Sequence, residues 1–447
     1  MIGGSCKRGG QLAGYGRNAS FATTPKAAVE DVALPAWWDR CVTASQTPSA
    51  EMLWEATDPS AALRDRFGSS DAAEAAAWVG STLKEVWGLR VASCDRIVMS
   101  DRNALAWVST SRAPMLAKWS VAPDRFSRLD TLAGLTAWLD DRGLPVSAPV
   151  AALDGRIQVE ASGASMCLQK QIHGELLDVS GLDRVRYAGA VLARLHAELS
   201  KYPHTDELPG LRAPTHSLSA QIAGWLAGAP EHVPPGALRA LRLMLANAPS
   251  DALPTQLVHG DYRSANILCR GNEIAAVIDF EEARLDHRVV ELARSAVLLG
   301  TQFHHWGPVS AQVRTVFLDG YRSESQLSEG EAQWWTILVL WISLLMVPQG
   351  DDPTGWGASA MSLYGSNECR TGGPNTAWDR TAERVTTPRS RTRTQPRHPE
   401  DEFGFMIRRP EPTEWSAFEI DINADQRGWM ASRATVADRS RLPPCGR

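Results

Sequence analysis

Lysine is scarce in this chain of 447 residues. Basic charge comes mostly from arginine, and the only lysines are Lys7, Lys26, Lys84, Lys118, Lys170 and Lys201, so a lysine on a strand is a marked choice. Paired cysteine spacing is missing as well. The seven cysteines are scattered with no Cys-x-x-Cys and no matching His pair, which argues against a disulfide framework or a structural zinc and reads as reduced thiols in a cytoplasm. There is no basic excess either: the net charge is −5 and the pI near 6.1, so neither nucleic acid nor an anionic membrane is an expected partner. The N-terminus lacks the continuous apolar region of a signal peptide. The apolar run Trp334–Val347 falls short of the roughly 18–20 residues needed to cross a bilayer and is expected as a helix buried in a large lobe.

What is present is an ordinary globular composition, 44 % apolar and 22 % charged, on a chain long enough for two or three lobes. Residues 1–34, rich in small residues, are expected as a mobile leader, and 35–94 as a helical N-terminal extension, clearest over Asp71–Val86. Strands are expected at Arg96–Ser100, Ala104–Thr110 and Pro114–Ser120, then a helix near Phe126–Leu139, then strands at Arg156–Glu160 and Met166–Ile172. Beyond Gly174 helices dominate, broken by a strand–turn–strand over Leu257–Phe280. This order implies an α+β, two-lobed architecture, with a small strand-rich N-lobe (95–173) and a larger helical C-lobe (174–350). Residues 351–447 are expected to be a disordered tail, because Arg370–Pro399 is full of Arg, Thr and Pro and nearly free of aliphatic residues.

The strongest chemical signal is Val258-His259-Gly260-Asp261-Tyr262-Arg263-Ser264-Ala265-Asn266-Ile267-Leu268, followed by Val277-Ile278-Asp279-Phe280-Glu281. Short apolar runs place Asp261, Asn266 and Asp279 at strand ends. A proton-accepting acid, an amide oxygen and a second acid are what a magnesium-nucleotide phosphotransfer site requires, because Mg²⁺ prefers oxygen ligands shared with substrate phosphates. Either loop alone could be a plain turn; both together are specific.

The arrangement resembles the aminoglycoside phosphotransferase and choline kinase group, whose fold is related to protein kinases, over about residues 95–350. The resemblance implies that Asp261 is the catalytic base or the acid that orients the nucleophile, that Asn266 and Asp279 bind magnesium, and that His259 serves the catalytic group by positioning its loop. Arg263 would face the phosphoryl group in flight. Lys118, in Met115-Leu116-Ala117-Lys118, would hold the α- and β-phosphates of ATP, and Lys170 to Glu175, with Lys170 and Ile172, would form the hinge that meets adenine. Ser100 and Asn103, in a hairpin without glycine, are weaker nucleotide candidates. The helix carboxylate that would partner Lys118 is missing at Leu132, and Asp130 either substitutes for it or is an exposed charge. His196, Asp286 and Glu291 are assigned structural roles.

The expected activity is transfer of the γ-phosphoryl group of ATP to a hydroxyl of a small molecule. An amino-sugar or aminoglycoside-like acceptor comes first by family analogy, with Glu281, Glu282 and Asp286 as acids that would suit a cationic substrate. A protein kinase would need an Arg before the catalytic acid and an activation segment; Gly260 and Ile278-Asp279-Phe280-Glu281 stand instead. A nucleotide-binding pseudokinase with a scaffolding role is the alternative, since fold alone does not give function.

Overall fold

The computed structural model describes residues 47–368, apart from 212, 229–230 and 304. The expected leader, and the Arg- and Thr-rich part of the expected tail, lie outside the described residues.

The N-lobe starts with a short strand, β1 (Ser49–Met52), and two helices, α1 (Pro59–Phe67) and α2 (Ala72–Trp87). The Asp71 carboxylate accepts from the Glu74 N–H and caps the start of α2, while Gly88, at φ 65°, closes its end in the left-handed conformation. Next come β2 (Val91–Met99), β3 (Asn103–Thr110) and β4 (Pro114–Ser120), then α3 (Phe126–Asp140), β5 (Val159–Ala161) and β6 (Ala164–Lys170). The strands form one sheet in the order β1-β2-β3-β4-β6-β5. Along β3 burial alternates residue by residue, so Ala104, Ala106 and Val108 face inward. Small residues there and at Ala117 leave room for Val79, Leu83 and Trp87 of α2, which share their core.

Residues 47–94 are therefore not wholly helical. β1 lies parallel to β2, pairing Ser49 with Arg96 through Met52 with Met99, and β2 begins at Val91, five residues before the expected Arg96. A strand of four residues carries too little period to show in sequence; the open edge of β2 makes it a strand.

The C-lobe contains β7 (Glu175–Leu176), α4 (Leu182–Leu199), α5 (Leu218–Ala227), α6 (Pro235–Ala246), β8 (Thr255–Val258), β9 (Ile267–Arg270), β10 (Glu273–Val277) and β11 (Arg284–His287). It continues with α7 (Arg288–Leu298), α8 (Ala311–Glu324), α9 (Glu329–Leu345) and α10 (Trp356–Glu368). β9 and β10 pair as an antiparallel ribbon and β8 pairs with β11, which brings the loop after β8 and the loop after β10 side by side. Helices α4 and α8 meet backbone to backbone at two glycines. A Cβ on Gly189 would overlap the Phe317 carbonyl oxygen, and one on Gly320 would overlap that of Arg186. The apolar run lies in α9, with Trp334 and Trp341 buried, and among the described residues no helix is long and apolar enough to cross a membrane.

Residues 351–368 also depart from expectation. Asp352 accepts from the N–H groups of Gly355, Trp356 and Gly357, and this cap starts α10. Trp356 and Ala360 are buried in the same core as α6 and α9, so this part of the expected tail is packed structure. The signal was local, a capping Asp before a lone Trp, and too brief to stand out from a polar segment.

Candidate active site

The loop carrying Asp261, the candidate catalytic loop, leaves β8 at Val258 and is held by buried groups of the C-lobe. Gly260 adopts φ 89°, and a Cβ there would overlap the Glu282 carbonyl oxygen, so only glycine fits before Asp261. Glu291 on α7 accepts from the backbone N–H groups of both His259 and Gly260. Its carboxylate also meets His196 Nε2 at 2.7 Å, and His196 Nδ1 meets the Tyr321 hydroxyl at 2.9 Å. His196 belongs to α4 and Tyr321 to α8, so the glycine-mediated packing of these helices fixes Glu291. Burial alone would raise the Glu291 pKa, but His196, His259 and the Gly260 N–H outweigh it and hold the carboxyl at about 2. From the other side, Arg294 and Arg284 donate to the Gly260 carbonyl.

His259 links the two loops. Its Nδ1 accepts from the Asp261 N–H at 3.1 Å, so its Nε2 carries the proton and donates to the Ile278 carbonyl at 3.1 Å. Both ring nitrogens are committed, which makes His259 a positioning residue and not a proton carrier. The Asp261 carboxylate, 4 % exposed, accepts from Arg263 Nε at 3.0 and 2.9 Å and from Asn266 Nδ2 at 2.8 Å. Arg294 lies 3.7 Å from it. Arg263, expected to face a transferred phosphoryl group, has its Nε engaged by Asp261. One of its nitrogens, Nη1, is buried without a hydrogen-bond partner, and its guanidinium lies 5.1 Å from the Trp306 ring. With the Asn266 amide nitrogen on Asp261, its amide oxygen is the atom left to meet a cation.

The candidate metal loop follows β10. The Ile278 N–H donates to the Asn266 carbonyl, and Asp279 adopts φ 66°, a left-handed conformation that Asp tolerates better than most residues. Across the cleft Lys118, on β4, meets Asp279 Oδ1 at 3.2 Å and Glu281 Oε1 at 2.6 Å. Desolvation works against the Lys118 charge, but the two carboxylates raise its pKa overall; in turn, against partial desolvation of its own, the Asp279 carboxyl is held below the usual carboxylate range by Lys118.

Other expectations fare differently. Asn103 enters the site through its amide, which donates to both Glu281 oxygens. Ser100 turns its N–H and hydroxyl back on the Asn103 carbonyl, closing the hairpin. Lys170 is exposed at the end of β6 and joins none of these ion pairs, while Ile172 is half-buried just beyond it. Asp130 is exposed on α3 and makes no ion pair with Lys118, so it does not replace the missing helix acid. Of the three acids expected near a cationic acceptor, Glu281 faces Lys118, and Asp286 binds Arg284 and the His287 N–H. Sequence reasoning missed Arg128, whose guanidinium on α3 holds the carbonyls of Glu281 and Ala283.

A kinase-like fold with these two loops in its cleft defines a small-molecule phosphotransferase. The chain belongs to the phosphotransferase enzyme family, APH, whose family profile matches residues 100–333. It is 25 % identical over 234 residues to a homoserine kinase of Neisseria meningitidis serogroup B, covering 49 % of this chain and 73 % of that protein. A homoserine kinase of Rhizobium etli is 28 % identical over 234 residues, 51 % of this chain and 70 % of that protein. Among solved structures, the macrolide 2'-phosphotransferase MphH from Brachybacterium faecium matches with a TM-score of 0.44 and 18 % identity, over 64 % of this chain and 97 % of its own.

Proposed function

We propose that the protein transfers the γ-phosphoryl group of ATP to a hydroxyl of a polar small molecule, with Asp261 as the base that orients and deprotonates the acceptor. The observation that carries this reading is the carboxylate of Asp261, buried and held by Arg263 and Asn266 within a loop tied by His259 to the metal loop. Such fixation sets the base in one place before the acceptor arrives.

The donor set fits magnesium. Asp279 remains 42 % exposed, the Asn266 amide oxygen is available, and among the described residues no three His, Cys, Asp or Glu side chains gather into a cage. One or two protein oxygens completed by phosphates and water are what magnesium commonly uses. Bound there with a nucleotide, the metal would neutralise phosphate oxygens and hold them in line. Lys118 would grip the outer phosphates as a point charge, and Arg263 Nη1, unpaired and buried, is the donor left for the transferred group. The segment after Lys170 would meet adenine through its backbone.

Two acceptor classes come first: a hydroxyl-bearing amino acid such as homoserine, from the names of the curated relatives, and an amino sugar or aminoglycoside, from the sequence reading. Acceptor-dependent ADP release over homoserine, amino sugars, aminoglycosides, macrolides and plain alcohols tests the reading. Magnesium-dependent turnover with a member of the panel is expected. Nucleotide binding without phosphoryl transfer to any of them would favour the pseudokinase alternative.

A further inference from the structure

Helix α3 offers Lys118 no carboxylate, yet the lysine is not loose. Its ammonium sits 2.6 Å from Glu281 and 3.2 Å from Asp279, so two acids share one cation. They are not equivalent. Asp279 is 42 % exposed and is the acid that faces a metal in the proposed reaction; Glu281 is 18 % exposed and is held by Lys118 and the Asn103 amide. The Asn103 amide, at the head of β3, donates to both Glu281 oxygens at 3.3 and 3.0 Å, and Arg125 lies 3.9 Å away. Beneath, Arg128 of α3 donates to the Glu281 carbonyl at 2.8 Å and the Ala283 carbonyl at 2.6 Å. The helix therefore governs the lysine indirectly, by fixing the backbone that aims Glu281.

We propose that Glu281 is the positioning residue of Lys118, and that through Asn103 it also ties the glycine-free β2–β3 hairpin to the metal loop. The inference rests on Lys118 being the nucleotide-binding lysine. Once a metal-bound nucleotide occupies Asp279, Glu281 is the carboxylate that still holds the ammonium beneath the phosphates. The role needs its charge: a neutral amide of the same shape keeps the packing and loses most of the attraction.

The test is calorimetric titration of magnesium-ATP into the wild type, Glu281→Gln, Lys118→Met, the double variant and Asp130→Asn. Glu281→Gln and Lys118→Met are each expected to weaken binding by roughly tenfold or more, as for a lost charge-assisted hydrogen bond. The double variant is expected to bind no worse than Lys118→Met alone, because the two residues act as one unit. In steady-state kinetics the nucleotide KM rises while the acceptor KM does not, a split that general loosening of the fold would not give. Asp130→Asn stays at wild-type affinity. Wild-type affinity in Glu281→Gln, or effects that multiply in the double variant, would overturn the proposal. Wild-type affinity in Lys118→Met would overturn the reading of Lys118 and the proposal with it. Should Glu281→Gln fail to fold, Asn103→Ala carries the test: weaker nucleotide binding is expected, and unchanged binding contradicts it.

Discussion

Two sets of residues face each other across the cleft, and they are held by different means. The loop around Asp261 is fixed from within the C-lobe by buried groups: Glu291 on two backbone N–H groups, His196 and Tyr321 behind it, and His259 bridging to Ile278. The cluster of Lys118, Asp279 and Glu281 spans both lobes, is partly exposed, and is held by opposite charges. A base must meet its substrate at a set position, so a network that cannot exchange partners suits it. The proposed nucleotide site must trade its Lys118–Asp279 contact for phosphate and metal while Glu281 keeps the lysine, so contacts between charged groups near solvent suit it better.

The sharpest way to break this contrast is at Glu291. Glu291→Gln leaves His196 and two N–H groups facing a neutral amide, and a loss of roughly 3–5 kcal/mol of stability is expected, as for a broken buried pair. Its pH dependence has a definite sign. The folded carboxyl, at about 2, lies below its ordinary 4.5, so its contribution is complete above pH 4.5 and is lost as pH falls towards 2. Acid titration of the denaturation midpoint is expected to show this increment in the wild type and not in Glu291→Gln. Gly260→Ala ranks next. Its Cβ must displace the Glu282 backbone, and roughly 10²-fold slower turnover is expected from a shifted Asp261, with nucleotide affinity read in parallel to show that the other half of the cleft is intact. A smaller effect is expected at Arg263→Ala, which is expected to lower kcat more than nucleotide binding, since its contact strengthens as charge redistributes. Normal turnover at saturating ATP would make Arg263 a bystander. The smallest effect is expected from removing residues 369–447, which lie beyond α10: a melting transition close to that of the full chain.

How much of this was legible follows the same division. The loop residues Asp261, Asn266 and Asp279 lie within one short stretch, and a stretch of that length displays its own spacing. The helices were readable for a similar reason, since the apolar run of α9 and the periodicity of α2 are local. Partnerships across the cleft were not. Lys118 and Asp279 are 161 positions apart and Asn103 and Glu281 are 178 apart, so nothing near Lys118 announces Glu281. Asp130 drew attention because it lay close to the expected place in sequence, yet its side chain is on the exposed face of α3. Arg128, two residues earlier, turns to the metal loop and does the work of connection. Glu281 itself was visible as an acid, but only the fold shows that it faces the lysine and not an acceptor.

The central claim is that Asp261 serves the reaction and Asp279 serves the magnesium-nucleotide complex, and one paired measurement tests it. Calorimetry of magnesium-ATP and acceptor-dependent turnover are measured on Asp261→Asn and Asp279→Asn. The expected result is a separation: Asp261→Asn binds nucleotide near wild-type affinity while turnover falls by roughly 10²–10⁴-fold, the usual range for a lost general base, and Asp279→Asn binds it weakly. Equal loss of nucleotide binding in both variants would contradict the account.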